Sequence, residues 1–187
     1  MREFVSSIEG EYRRYKALGE GAMAQLSDGE LNAADGASAN AVTVIVWHLG
    51  GNLASRFTEF LTSDGEKPWR NRDDEFAPRD ATRADIMAHW QRGWTALFEA
   101  LATLSDADLA RTVTIRAQPL LVHEALHRSL SHAAYHVGQI VHIAKCQRGD
   151  AWTSLSIPRG QSAAYNASPT QESARAHALK LELPERG

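Results

Sequence analysis

The sequence predicts an all-α protein. Its architecture is a four-helix bundle with a long loop between the second and third helices and a C-terminal extension. Three observations carry this. Four long stretches repeat apolar residues at spacings of three and four, the period of a helix with one buried face. The one strand-like segment, Arg111 to Arg116, is too short and too isolated to build a sheet alone. Polar segments containing Gly or Pro separate the four stretches, as bundle connections do.

The first helix spans about Glu3 to Leu26, with Phe4, Ile8, Tyr12, Tyr15 and Leu18 as its apolar stripe. Gly19 and Gly21 weaken its C-terminal part, since each Gly costs about 1 kcal/mol against Ala. A polar stretch, Ser27 to Ser38, follows. Ser38 or Asn40 is placed to cap the second helix by accepting bonds from its free N–H groups. Val42, Ile45, Val46, Leu49, Leu53, Phe57, Phe60 and Leu61 mark that helix's broad apolar face. Gly50-Gly51 in its middle is a cost that a close backbone approach by a neighbouring helix would explain.

Thr62 to Ala81 reads as a long loop with Gly65, Pro68, Pro78 and the charged run Arg70 to Glu75. Loops of this length are often functional. The third helix starts at Thr82, with Asp85 answering the cap. Its stripe is Ile86, Trp90, Trp94, Leu97 and Leu101, and it ends near Leu104. Leu26-Ser27-Asp28-Gly29-Glu30-Leu31 and Leu104-Ser105-Asp106-Ala107-Asp108-Leu109 read as matching Ser-capped turns after the first and third helices. The fourth helix opens near Pro119, a favoured first-turn residue, and runs to about Gln147 before Gly149. From Trp152 the composition changes, and Ser173 to Leu183 has weak helical character. Residues 1–150 therefore form the bundle. Residues 151–187 form an extension expected to pack on it or on a second subunit.

The chain has 187 residues, 43% hydrophobic, with a net charge of −3. This fits one globular domain and excludes intrinsic disorder. It also argues against a dedicated nucleic-acid binder, which would carry a basic excess. Cys146 is the one cysteine, so no intrachain disulfide or Cys-based zinc site forms. The N-terminus shows no apolar signal core. The longest apolar run, Ala41 to Leu49, is broken by Thr43 and His48 and falls far short of the roughly 20 residues of a membrane span. A cytoplasmic protein with no membrane partner is the expectation.

Of eight His, those of the second and fourth helices stand out. His132 and His136 are four apart, about 40° in projection on a helix, so both imidazoles can reach one ion. Gln139 lies on the same side. His123 and His127 have the same spacing on the opposite, more solvated face. His48 sits in an apolar stretch of the second helix, where a buried imidazole needs a partner. A metal would satisfy it; so would a hydrogen bond to a neighbouring helix or to water. Three neutral imidazoles suit Zn²⁺, Ni²⁺, Cu²⁺ or Fe²⁺ and leave a coordination position open. No Asp or Glu lies in the immediate ligand stretch, so no general base from the protein is evident. Cys146, ten residues and about 15 Å beyond His136, reads as a small buried core residue.

Together these pieces resemble the DinB/YfiT-like superfamily of bacterial four-helix bundles. The resemblance rests on Trp47-His48-Leu49-Gly50-Gly51-Asn52 and on His132-Ala133-Ala134-Tyr135-His136-Val137-Gly138-Gln139-Ile140. Gly65-Glu66-Lys67-Pro68-Trp69-Arg70-Asn71-Arg72 and Ser154-Leu155-Ser156-Ile157-Pro158-Arg159-Gly160 resemble one branch of it. The likeness covers about residues 3 to 166. It implies an up-down-down-up bundle, often a homodimer, with a divalent metal, Zn²⁺ or Ni²⁺ foremost, held by His48, His132 and His136. Some members are thiol-dependent transferases or isomerases using a low-molecular-weight thiol; others are described as metal-dependent hydrolases.

The expected function is therefore a metal-dependent hydrolase or thiol-dependent transferase acting on a small molecule. A non-catalytic metal-binding or stress-response bundle is the first alternative, and a metal-free helical scaffold the second. Asn52, Tyr135 and Gln139 lie within a turn of a ligand and are candidates to support it or to touch substrate. Packing is the simpler role for Tyr135. Arg70, Arg72 and Arg159 can grip a carboxylate or phosphate in a two-pronged way, or form plain surface ion pairs.

Overall fold

The computed structural model describes residues 1–34, 36 and 39–182. It is mostly helical. Four long helices, α1 (Glu3–Ala24), α3 (Val42–Phe57), α5 (Arg83–Thr103) and α6 (Val122–Arg148), share one apolar core. Shorter helices are α2 (Asp28–Asn32), α4 (Arg72–Glu75), α7 (Ser162–Ala167) and α8 (Ala174–Glu182). A two-stranded antiparallel hairpin, β1 (Thr112–Ile115) and β2 (Gln118–Leu121), precedes α6, pairing Val113 with Leu120. No helix among the described residues is long and apolar enough to cross a membrane.

The core forms where the predicted stripes meet. Tyr12, Leu49, Leu53, Trp90, Trp94 and Leu97 are fully enclosed. The Tyr12 hydroxyl is buried too, and it donates to the Leu126 carbonyl at 2.8 Å, joining α1 to α6. Helix α3 lies along α5, and the glycines explain how closely. A Cβ on Gly93 would fall 2.6 Å from the Gly50 carbonyl oxygen, and one on Gly50 would fall 2.7 Å from the His89 ring. Gly19 is similarly required, because a Cβ there would meet the Trp90 ring at 2.7 Å.

The start of the third predicted helix is as read: Thr82 accepts from the Asp85 N–H. Both turns also form, but only Ser27 caps its turn by accepting from the Glu30 N–H at 3.3 Å; the Ser105 side chain makes no such cap. Glu30 accepts from the Ser27 N–H at 2.6 Å and Asp108 from the Ser105 N–H at 2.9 Å.

Other boundaries differ. Ala41, not Asn40, occupies the N-cap of α3, without a side-chain cap; Ser38 lies outside the described residues. Helix α3 ends at Phe57, so Phe60 and Leu61 belong to the turn that follows, with Glu59 at φ 51°. Pro119 is in β2 and α6 opens at Val122. Here the strand-like run found a partner, so the Pro serves a strand instead of a first helical turn. Phe4 is exposed while Val5, three residues before the buried Ile8, takes its place in the core. Cys146 is exposed, 3.8 Å from His142 Nε2, because it lies on the solvent side of the last turns of α6. Helix α8 packs on α1, and His177 Nε2 lies 2.8 Å from the Leu155 carbonyl. Leu183 lies outside the described residues.

Candidate metal centre

The packing of α3 against α6 brings His48 to the His132–His136 pair. His132 Nε2 lies 3.1 Å from His48 Nε2 and 3.1 Å from His136 Nε2. The three residues can each offer one nitrogen to a common point, all within 4.8 Å of one another. His48 is buried, and the other two are half-buried.

The outer ring nitrogens fix what the inner ones present. His48 Nδ1 is 3.0 Å from Glu75 Oε2. Burial alone would raise the Glu75 carboxyl, but hydrogen bonds and charge from Arg70 and His48 outweigh it and hold it below the usual carboxylate value. An ionised carboxylate only accepts, so His48 carries its proton on Nδ1 and turns the Nε2 lone pair inward. His136 Nδ1 donates to Gln139 Oε1 at 2.8 Å and turns its Nε2 lone pair to the same place. His132 can supply at most one proton there. Its Nδ1 is buried without a hydrogen-bond partner among the described residues.

Protonation does not relieve the crowding. Burial, then the neighbouring His136 and His48, push the His132 imidazole down to about 3. Burial lowers His136 as well, against the Gln139 bond. Inward lone pairs beside a His132–His136 pair that resists protons suit a divalent cation, and the donor set of three imidazoles fits one.

Glu75 was not foreseen. It comes from the 62–81 loop, where α4 carries it under α3. The Asn71 side chain caps α4 by accepting from the Asp74 N–H. Arg70 grips Glu75 with Nε at 2.7 Å and Nη2 at 2.8 Å. A Cβ on Gly51 would collide with the Glu75 carboxylate, so this glycine makes room for it. Phe76 sets its ring 4.6 Å from that of His48 at a 34° tilt, and the Arg72 guanidinium lies 5.0 Å from the Phe76 ring.

A cavity of about 220 Å³ opens beside the cluster, with His48 and His132 in its wall. Asn52, Arg70 and Arg72 line it as well. Gln139 braces His136 from outside. Tyr135, at 63% exposed, does not pack in the core; its ring meets His136 edge-on and its hydroxyl lies 3.4 Å from Gln139 Nε2. Arg159 is exposed on the C-terminal segment and outside the cavity wall. The opposite pair is separate: His123 Nδ1 donates to the Leu109 carbonyl at 3.0 Å, and His127 packs edge-on against Phe4.

Arg56, Arg116, Arg128 and Ser129 also line the cavity; of these, Ser129 shares the face of His132 and His136 by its spacing, and the three arginines were not anticipated. Arg128 was legible: it precedes His132 by four residues, the same interval that joins His132 to His136. Arg56 and Arg116 arrive through tertiary contacts with no local signal.

A family model matches residues 1–161. The chain belongs to the DUF1572 family. That family is described as a protein of unknown function. No curated protein matches the chain. Among solved structures, a conserved protein from Enterococcus faecalis is similar to this DUF1572 member, with a TM-score of 0.56 and 18% sequence identity. The match covers 78% of this chain and 96% of that one, and at such identity it speaks for the fold alone.

Proposed function

We propose that this chain is a DinB/YfiT-like four-helix bundle that holds one divalent metal ion on His48, His132 and His136. On this reading it acts on a small molecule as a metal-dependent hydrolase or a thiol-dependent transferase, and works as a cytoplasmic homodimer. The observation that carries the reading is the cavity: two of the three histidines form part of its wall. A purely structural ion would have no use for an open cavity against its ligands.

A bound Zn²⁺ or Ni²⁺ would supply Lewis acidity, lowering the pKa of a water or a low-molecular-weight thiol that serves as nucleophile. The residues supply the rest. Both oxygens of Glu75 are engaged, Oε1 by Arg70 and Oε2 by Arg70 and His48. It therefore orients His48 and is not free to take a proton from a nucleophile. Among the described residues no carboxylate lines the cavity. Phe57 and Phe60, both buried, exclude water from one wall and offer an apolar surface to a substrate. Asn52, half-buried one turn after His48, provides a neutral donor and acceptor.

A non-catalytic metal-binding or stress-response role is the second reading, since Glu75 and Gln139 would brace a structural ion equally well. The test is elemental analysis of untagged protein, wild type beside His132→Ala. About one equivalent of metal in the wild type, lost in the variant, supports the site. Turnover in hydrolase and thiol-transferase panels, abolished in His136→Ala with the fold intact, supports the enzyme. Metal without turnover favours the second reading. No metal in either protein, even after incubation with Zn²⁺ and Ni²⁺, leaves a metal-free scaffold.

A further inference from the structure

We propose that the cavity beside the histidine cluster binds a small amphipathic oxyanion, a carboxylate or phosphate on a compact apolar body. Arg70, Arg72 and Arg128 hold the anionic end, and Phe57, Phe60 and Ile115 hold the body. This names the substrate class for the function proposed above and to that extent rests on it. Anion binding itself requires no metal.

Among the described residues the cavity wall carries five arginines and no carboxylate. Three of the five are served by two acids behind the wall: Glu66 lies 3.1 Å from Arg56, 3.7 Å from Arg70 and 2.8 Å from Arg116, while Glu75 pairs with Arg70. Among the described residues, Arg72 and Arg128 have no carboxylate within 4.0 Å. Positive charge therefore exceeds its neutralisation on this wall.

The second observation is a buried donor left over. The Arg70 side chain is 2% exposed, yet its Nη1 makes no hydrogen bond among the described residues. The carboxylate oxygen paired with it, on Glu66, is 3.7 Å away, beyond hydrogen-bond reach. A buried guanidinium N–H without an acceptor is unfavourable. Arg70 lines the cavity, so an oxyanion that settles against its guanidinium would give this group the acceptor it lacks, and partial burial would strengthen the attraction.

The remaining wall sets the body of the ligand. Phe57, Phe60 and Ile115 are 3%, 8% and 7% exposed and face the same space. A cavity of about 220 Å³ admits a single ring or a short branched chain and excludes a polymer. The anionic and apolar walls together select an amphipathic small molecule over a free inorganic ion.

The test is ligand-observed NMR titration of metal-loaded and chelator-treated protein with benzoate, phenylphosphate, inorganic phosphate and neutral benzamide. Benzoate or phenylphosphate should bind at least about tenfold more tightly than benzamide, as one charge-assisted hydrogen bond implies, and at least about tenfold more tightly than inorganic phosphate, because the ring buries apolar area against Phe57, Phe60 and Ile115. The tighter of the two assigns carboxylate or phosphate. Arg72→Ala/Arg128→Ala should weaken binding by about tenfold or more on the same ground. Arg128→Glu should abolish it. Both positions are exposed, so the fold and melting temperature should hold.

Equal binding of benzamide, equal binding of inorganic phosphate, no binding by any probe at millimolar concentration, or indifference to the arginine variants would each overturn the proposal. His132→Ala separates this proposal from the metal reading. Arginine-dependent binding that survives in His132→Ala supports the anion site whether or not wild type holds metal. Binding lost in His132→Ala but insensitive to the arginines would place the anion on the ion itself and overturn the proposal.

Discussion

Glu75 accepts a hydrogen bond from His48 Nδ1 at 3.0 Å, and that bond points His48 Nε2 at His132. The acid is held in turn by two prongs of Arg70. Removing its charge should therefore loosen His48, which it positions, without touching a metal ion held there. Glu75→Gln should weaken Zn²⁺ binding by about 10- to 100-fold, read by competition with a chromogenic chelator. Glu75→Ala also leaves the buried Arg70 without its acid and should cost about 3–5 kcal/mol in urea unfolding. Wild-type affinity in Glu75→Gln would show that His48 needs no such brace.

Gln139 plays the corresponding part for His136 at 2.8 Å, but as a neutral acceptor. Gln139→Ala should weaken Zn²⁺ binding by about tenfold, the lower end of that range. Tyr135→Phe removes a hydroxyl from a ring that is 63% exposed. It should leave Zn²⁺ affinity unchanged and move stability by less than about 0.5 kcal/mol. A larger change in Tyr135→Phe than in Gln139→Ala would reverse these roles.

The histidine cluster was legible because both of its determinants are local. The interval from His132 to His136 fixes a shared helix face, and the apolar neighbours of His48 fix its burial. Glu75 was not legible: it sits in a charged loop run, where composition reads the same for a solvated turn and for an acid folded beneath a helix. Only the Gly51 gap, visible once α4 is in place, distinguishes them. The hairpin was missed for a related reason. Arg111 to Arg116 showed its alternation, but Pro119 two residues past the turn read as a helix start, and pairing across a tight turn is not encoded in either segment alone.

Gly50-Gly51 is a cost that needs a neighbour: α5 is that neighbour for Gly50, while Gly51 makes room for Glu75 of α4. At Gly93 a Cβ would lie 2.6 Å from the Gly50 oxygen and 2.7 Å from its Cα, and backbone cannot yield as a side chain can. Gly93→Ala should destabilise by about 1–3 kcal/mol. Gly138, on the exposed side of α6, meets nothing within 4 Å. Gly138→Ala should stabilise by about 1 kcal/mol through helix propensity alone. Urea midpoints moving in the same direction for both would contradict the close α3–α5 crossing.

Asp64 governs the other side of the cavity. Its Oδ1 accepts from the Glu66 N–H at 2.7 Å and the Arg116 N–H at 2.8 Å, and its Oδ2 from the Ala117 N–H at 2.7 Å. Arg116 and Ala117 form the hairpin turn with φ of 55° and 58°, a conformation unfavourable for residues with a Cβ. Asp64 thus holds a strained turn that sets Arg116 in the cavity wall. The backbone bonds from Glu66 and Ala117, and that from Arg116, lower its carboxyl from 3.8 to about 2. Between those values the unfolded chain binds the proton and the native chain does not, so stability rises with pH across that window. The contribution is complete above pH 3.8 and is lost as pH falls to about 2. Asp64→Asn keeps one acceptor and loses the other. Its stability deficit against wild type should be constant above about pH 5, well clear of both values, and shrink on acidification through that window. A deficit that does not shrink would mean that the turn, and Arg116 with it, is held by something other than this carboxylate.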